Sequence, residues 1–185
     1  MSKATSHSSE HPSVIQPFGS LRPVRLGLAE DVRHQSVSAL NRLLAHTIAL
    51  RDLYKKSHWQ TSGASFYELH LLFDKHSGEQ EELADELAER VQTLDGVARA
   101  LARDVAEESR IARGPSGVEG PVEQLQRLVE AHEFVLSETR PLAREAASRG
   151  DEGTNDLLVS GVVRRNELQS WFVLRHLEVH EARAT

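Results

Sequence analysis

Cysteine is absent from the 185 residues. Disulfides, thiolate zinc sites and ordinary iron–sulfur clusters are therefore excluded, and any metal must meet nitrogen and oxygen ligands from His, Asp and Glu. Long apolar runs are missing as well. The first thirty residues lack the apolar core of a signal peptide, and no later stretch approaches the ~20 apolar residues of a membrane span, so a cytoplasmic, membrane-free protein is expected. Positive charge is not in surplus: the formal net charge is −6, whereas a dedicated nucleic-acid binder needs clustered Lys and Arg to meet phosphates. Neither strand-type alternation nor an internal repeat is present. Apolar residues amount to 39%, enough for one domain with a real core.

What the chain does have is helical periodicity. Residues 1–27 are rich in Ser, Pro and His, and Pro12, Pro17 and Pro23 recur too often for a helix, so they read as a flexible tail ahead of a domain spanning 28–183. Val37, Leu40, Leu44 and Ile48 form an apolar stripe spaced three and four apart, which predicts helix A over about 30–60. Gly63 marks a stop and Ser65 an N-cap for helix B, which runs to about Leu94 with Gly96 closing it. Its apolar positions are Phe66, Leu69 and Phe73 early and Leu83, Leu87 and Val91 late, interrupted by the polar run Asp74–Glu82. A short helical piece over 97–108 and a Gly/Pro-rich loop, 114–120, lead to helix C, with Pro121 in its first turn and Pro141 expected to kink or end it. Gly150 and Asp151 supply a stop and a new N-cap for helix D over about 152–180. Two helical hairpins joined by a long crossover with an extra helix describe an all-α, ferritin-like four-helix bundle.

Helix B carries the chemistry. His70 and Asp74 stand four residues apart on one face, and Asp85 and Glu89 repeat that spacing. Read singly, Asp85 and Glu89 are solvated charges and His70 a hydrogen-bonded core histidine. The two pairs cannot share a metal within one chain, because Asp74 and Asp85 lie roughly 16 Å apart along a continuous helix while metal–ligand bonds are about 2 Å long. In an antiparallel A–B hairpin, His58 comes beside His70 and Asp74 as a first half-site. Two chains with antiparallel B helices across a two-fold axis then bring the Asp85/Glu89 edge of one to the His58/His70/Asp74 edge of the other, twice. Two imidazoles and three carboxylates suit Fe(II), and the same set accepts Zn, Mn or Co.

The segments His58-Trp59-Gln60, Phe66-Tyr67-Glu68-Leu69-His70, Phe73-Asp74 and Asp85-Glu86-Leu87-Ala88-Glu89-Arg90 resemble the signature of the Dps family, ferritin-like miniferritins. The resemblance covers most of 30–180, includes the Gly150–Thr154 turn and Trp171, and shows no departure at the five ligand positions. It implies a hollow dodecamer that oxidises Fe(II) with hydrogen peroxide or dioxygen at intersubunit ferroxidase centres, stores ferric mineral and protects against oxidative stress. Trp59 would quench one-electron oxidants or serve as interface packing. Asp151, Glu152 and Asp156 resemble the acidic lining of an iron-entry pore, although acidic residues also simply favour helix N-termini.

Further sites are less specific. Glu79, Glu81 and Glu82 read as a solvated face, and His46 and His132 as satisfied structural histidines. His76 points away from the His70 face as an outer metal candidate, and His7 and His11 as a tail site. The tail carries Lys3, Arg22 and Arg25 against Glu10, so DNA binding is expected to be weak or absent. The competing function is a structural or DNA-compacting shell that binds metal without turnover. A bacterioferritin-type di-iron oxidase is disfavoured because no Glu stands three residues before any His.

Overall fold

Apolar side chains recurring every three to four residues can be buried together only if the helices that carry them pack side by side. The computed structural model, which describes residues 13–184, shows this arrangement: α1 (Glu30–Gln60), α2 (Phe66–Thr93), α3 (Ala102–Glu108), α4 (Pro121–Ser148) and a last long helix in three parts, α5 (Glu152–Asp156), a π-helical stretch (Leu157–Val163) and α6 (Arg164–Ala184). No strand occurs among the described residues. Nor is any helix among them long and apolar enough to cross a membrane. Leu40, Leu43 and Leu44 from α1, Leu69, Phe73 and Leu87 from α2, Leu125 and Leu128 from α4, and Leu158, Val162 and Val173 from the last helix fill the core.

The α1–α2 hairpin turns at Gly63, whose φ of +88° is left-handed. Ser65 precedes α2 as expected, but its side chain makes no capping hydrogen bond. At the other end the left-handed residue is Asp95 (φ +61°), not Gly96. Gly96 has a different purpose: a Cβ there would lie 2.7 Å from both methyl carbons of Val37, so the crossover can leave α2 only by passing close over α1. The extra helix begins at Ala102 rather than 97 and buries Val105.

Pro121 occupies the first turn of α4 as expected. Pro141 neither ends nor interrupts the helix, which continues to Ser148. The proline deprives the Ser137 carbonyl of its partner, but both residues are exposed, so water can satisfy it.

The segment expected as a tail is tied down from Gln16 onward. Gln16 Nε2 donates to the Asp95 carbonyl at 2.9 Å, and the Arg22 guanidinium pairs with the Asp95 carboxylate at 2.8 Å. Buried Arg33 donates to the carbonyls of Arg22 and Leu94. His7, His11 and Lys3 lie outside the described residues.

Candidate metal centre

His58 stands in the last turn of α1 and His70 in the second turn of α2, and the short turn through Gly63 lays them face to face. Their rings stack with centroids 3.8 Å apart and planes inclined by 21°. His58 Nδ1 lies 2.8 Å from the His70 carbonyl, and His70 Nδ1 lies 3.0 Å from the His58 carbonyl. A carbonyl can only accept, so both Nδ1 atoms carry protons, and in the neutral ring Nε2 is the atom left with a lone pair. This reciprocal lock holds two imidazoles in the tautomer that a metal requires, with the backbone acting as the outer support.

Asp74, one turn beyond His70, completes the cluster. Its Oδ1 lies 3.9 Å from His58 Nε2 and 2.5 Å from Lys55 Nζ. The hydrogen bond from Lys55 holds the Asp74 carboxyl below its usual range. The group is therefore a carboxylate at any pH near neutrality, and no proton has to leave when a cation arrives.

Asp85 and Glu89 do not join this cluster. Both are exposed on α2, well beyond Asp74 along the helix axis. Among the described residues, no group of three His, Asp or Glu side chains is placed to hold a metal ion. The structure thus brings together His58, His70 and Asp74 and leaves Asp85 and Glu89 facing outward. Around the tip, Trp59 is 71% exposed and Tyr67 69%, with Phe66 and Leu71 also exposed. Four large apolar side chains beside an incomplete polar cluster are what an interface looks like before its partner is added.

The acidic residues at the start of the last helix divide. Glu152 and Asp156 are exposed. Asp151 is buried inside the protomer, 1% exposed, where it accepts from the backbone N–H of Thr154, from Ser36 Oγ at 2.6 Å and from Arg90 at 2.6 Å. Burial alone would raise its pKa, but the hydrogen bonds from Ser36 and Thr154 outweigh that and lower it. Asp151 is therefore a helix cap and ion-pair partner, which corrects its reading as pore lining.

The histidines read as structural also divide. His46 is buried against the Phe134 ring, but its Nδ1 has no hydrogen-bond partner among the described residues. His132 is fully satisfied, between Tyr54 and Asn166. His76 is not an outer metal ligand candidate: it lies in the core, with Nδ1 3.1 Å from Tyr54 Oη. Together with Gln80 and Gln169 these residues form a polar cluster in the middle of the bundle. The polar run Asp74–Glu82 was its only sequence signal, and Tyr54, Asn166 and Gln169 gave none.

Burial lowers the His132 pKa to about 4 and that of His76 to about 3. In the unfolded chain these imidazoles take up a proton near pH 6.5, whereas in the folded chain they resist it down to those values. Their contribution to stability is complete above about pH 6.5 and is lost as the pH falls toward 4, about 3 kcal/mol for His132 alone. Urea midpoints measured between pH 7 and pH 4.5 are expected to fall, and a His132→Gln variant to fall less steeply. Parallel profiles would contradict this.

Comparison with known proteins agrees with the fold. Residues 37–182 match the ferritin-like domain family. The structure of DpsC from Streptomyces coelicolor is 53% identical and superposes with a TM-score of 0.88, covering 89% of this chain and 96% of that one. The Dps protein of Vibrio cholerae, described as a member of a superfamily of ferritin-like diiron-carboxylate proteins, is 27% identical with a TM-score of 0.78, covering 85% and 99%. A nutrient stress-induced DNA-binding protein of Synechococcus is 32% identical over 164 residues, 89% of this chain and 93% of that one. The chain belongs to the Dps family of ferritin-like proteins.

Proposed function

We propose that this protein detoxifies and stores iron: it binds Fe(II) at ferroxidase centres shared between two subunits, oxidises it with hydrogen peroxide, and keeps the ferric product inside a hollow, dodecameric shell. The observation that carries the reading is the half-site at the α1–α2 tip, where two imidazoles have Nδ1 locked to backbone and Nε2 free beside the Asp74 carboxylate. The other half stands on the same helix. His70 and Glu89 share one midpoint with Asp74 and Asp85, between Glu79 and Gln80. Two α2 helices crossing antiparallel at that midpoint set His70 against Glu89 of the partner subunit and Asp74 against Asp85 of the partner subunit, with His58 beside them.

Imidazole nitrogen and carboxylate oxygen accept Fe(II), and the three carboxylates favour the more highly charged Fe(III) product. Peroxide taking one electron from each of two Fe(II) ions is reduced to water without releasing a radical. Zn, Mn and Co fit the same donor set as competitors. Trp59 sits at the interface beside His58. Glu152 and Asp156 remain exposed as the acidic residues of an entry route. With a net charge of −6, DNA association is weak or absent.

The test is Fe(II) oxidation followed by ferric absorbance. Purified protein with peroxide is expected to oxidise Fe(II) faster than protein-free buffer and to keep the product soluble. Oxidation no faster than in buffer would overturn the reading and leave a metal-binding shell without turnover.

A further inference from the structure

We propose that Tyr54 is a one-electron donor built into the bundle core, giving its electron to hydroxyl radical formed at the neighbouring metal centre and its phenolic proton to Nε2 of His132. The inference rests on the proposed function for the supply of that oxidant, which arises whenever a lone Fe(II) ion reduces peroxide by one electron.

The hydrogen-bond network settles where every proton lies. Asn166 Nδ2 donates to the Val162 carbonyl at 2.8 Å, so its Oδ1 is the atom facing His132 Nδ1 at 2.9 Å. Oδ1 accepts, so His132 carries its proton on Nδ1 and its Nε2 is bare. Tyr54 Oη, 2.5 Å away, must donate to that Nε2. His76 Nδ1, 3.1 Å from the same oxygen, then donates into it. The phenol thus has one proton acceptor on line and one donor ready to hold its oxygen once that proton has gone.

Tyr54, His76 and His132 are all fully buried. Burial pushes the Tyr54 phenol well above its usual range, so it stays protonated, and His132 stays neutral with its lone pair available. On oxidation Tyr54 loses an electron and becomes a neutral phenoxyl radical, its proton converts His132 to imidazolium, and hydroxyl radical is reduced to hydroxide. The imidazolium keeps its Nδ1–H bond to Asn166. The phenoxyl oxygen keeps the bond from His76 and gains one from His132. The phenol oxygen stays neutral and the one charge left in the core is the His132 imidazolium, which burial opposes and the hydrogen bond to Asn166 Oδ1 supports.

Position favours the transfer. Tyr54 lies one turn before His58 on α1, about 6 Å along the axis. Its ring centroid is 6.0 Å from that of Phe73, the residue next to Asp74. A hole placed there is kept from the exposed side chains of the tip, and a later Fe(II) ion can return the electron.

The chain has two tyrosines, Tyr54 and Tyr67, which makes the test direct. Protein carrying ring-deuterated tyrosine is loaded with less Fe(II) than there are centres, mixed with peroxide, frozen rapidly and examined by EPR, with iron oxidation followed in parallel. A tyrosyl signal narrowed by the deuterium is expected, retained in Tyr67→Phe, where the core is untouched, and lost in Tyr54→Phe and His132→Gln. Iron oxidised without a tyrosyl signal, or a signal lost in Tyr67→Phe, overturns the donor role and leaves the ferroxidase reading standing. If iron is not oxidised, that reading fails instead, and pulse radiolysis of metal-free protein decides. A phenoxyl absorbance retained in Tyr67→Phe supports the donor, and its loss there overturns it.

Discussion

Asp85→Asn combined with Glu89→Gln is expected to slow peroxide-driven Fe(II) oxidation by at least on the order of 100-fold, since even outer-shell substitutions at metal sites cost 10–100-fold. Thermal unfolding of the same variant should hardly change. The contrast follows from where these side chains stand. Both are exposed, and among the described residues neither takes part in a hydrogen bond or ion pair through its side chain. Within one protomer they do nothing, so removing their charge costs the fold almost nothing. In the proposed dimer they supply the carboxylates that His58, His70 and Asp74 lack. Stopped-flow absorbance and calorimetry on one preparation check both halves, and an oxidation rate equal to that of the parent would remove these residues from the centre.

Asp151→Ala should do the reverse. Its carboxylate caps α5, pairs with Arg90 and accepts from Ser36 in a buried setting. Truncation leaves the Arg90 guanidinium without its carboxylate and two neutral donors unpaired, and breaking a buried pair from one side costs about 3–5 kcal/mol. Urea unfolding is expected to show a loss of that size, with the ferroxidase rate per folded molecule largely retained. A variant of unchanged stability that takes up iron slowly would restore the pore reading of this residue.

Much of this molecule was legible in its sequence because helices impose strong periodicities. The stripe from Val37 to Ile48 and the Gly63 and Gly150 stops located the helices closely. The four-residue spacing of His70 and Asp74, repeated at Asp85 and Glu89, needed only the helical rise to show that one chain cannot close the set. What escaped was whatever depends on how far a neighbouring helix intrudes. Gly96 looks like a helix stop until Val37 is seen pressed against it. Asp151 looks like any acidic N-cap until Arg90 and Ser36 are found beside it. Tyr54 lies on α1 and Asn166 and Gln169 on α6, so they meet only once the bundle is assembled. Pro141 reads as a kink or a stop because exposure, which makes its lost hydrogen bond cheap, is invisible in a string of residues.

The central claim is that each metal centre is made from two chains, and mixed-chain complementation tests it most directly. Chains carrying His58→Ala and His70→Ala are expected to be inactive alone, as are chains carrying Asp85→Asn and Glu89→Gln. In a dimer formed from one of each, one centre collects every lost ligand and the other collects none. Co-assembled protein should therefore recover half the parental ferroxidase rate per mixed dimer, with the fraction of mixed dimers read by native mass spectrometry. Recovery that scales with that fraction is the predicted result. A mixture as inactive as its two components, despite mixed dimers being present, would contradict the shared centre.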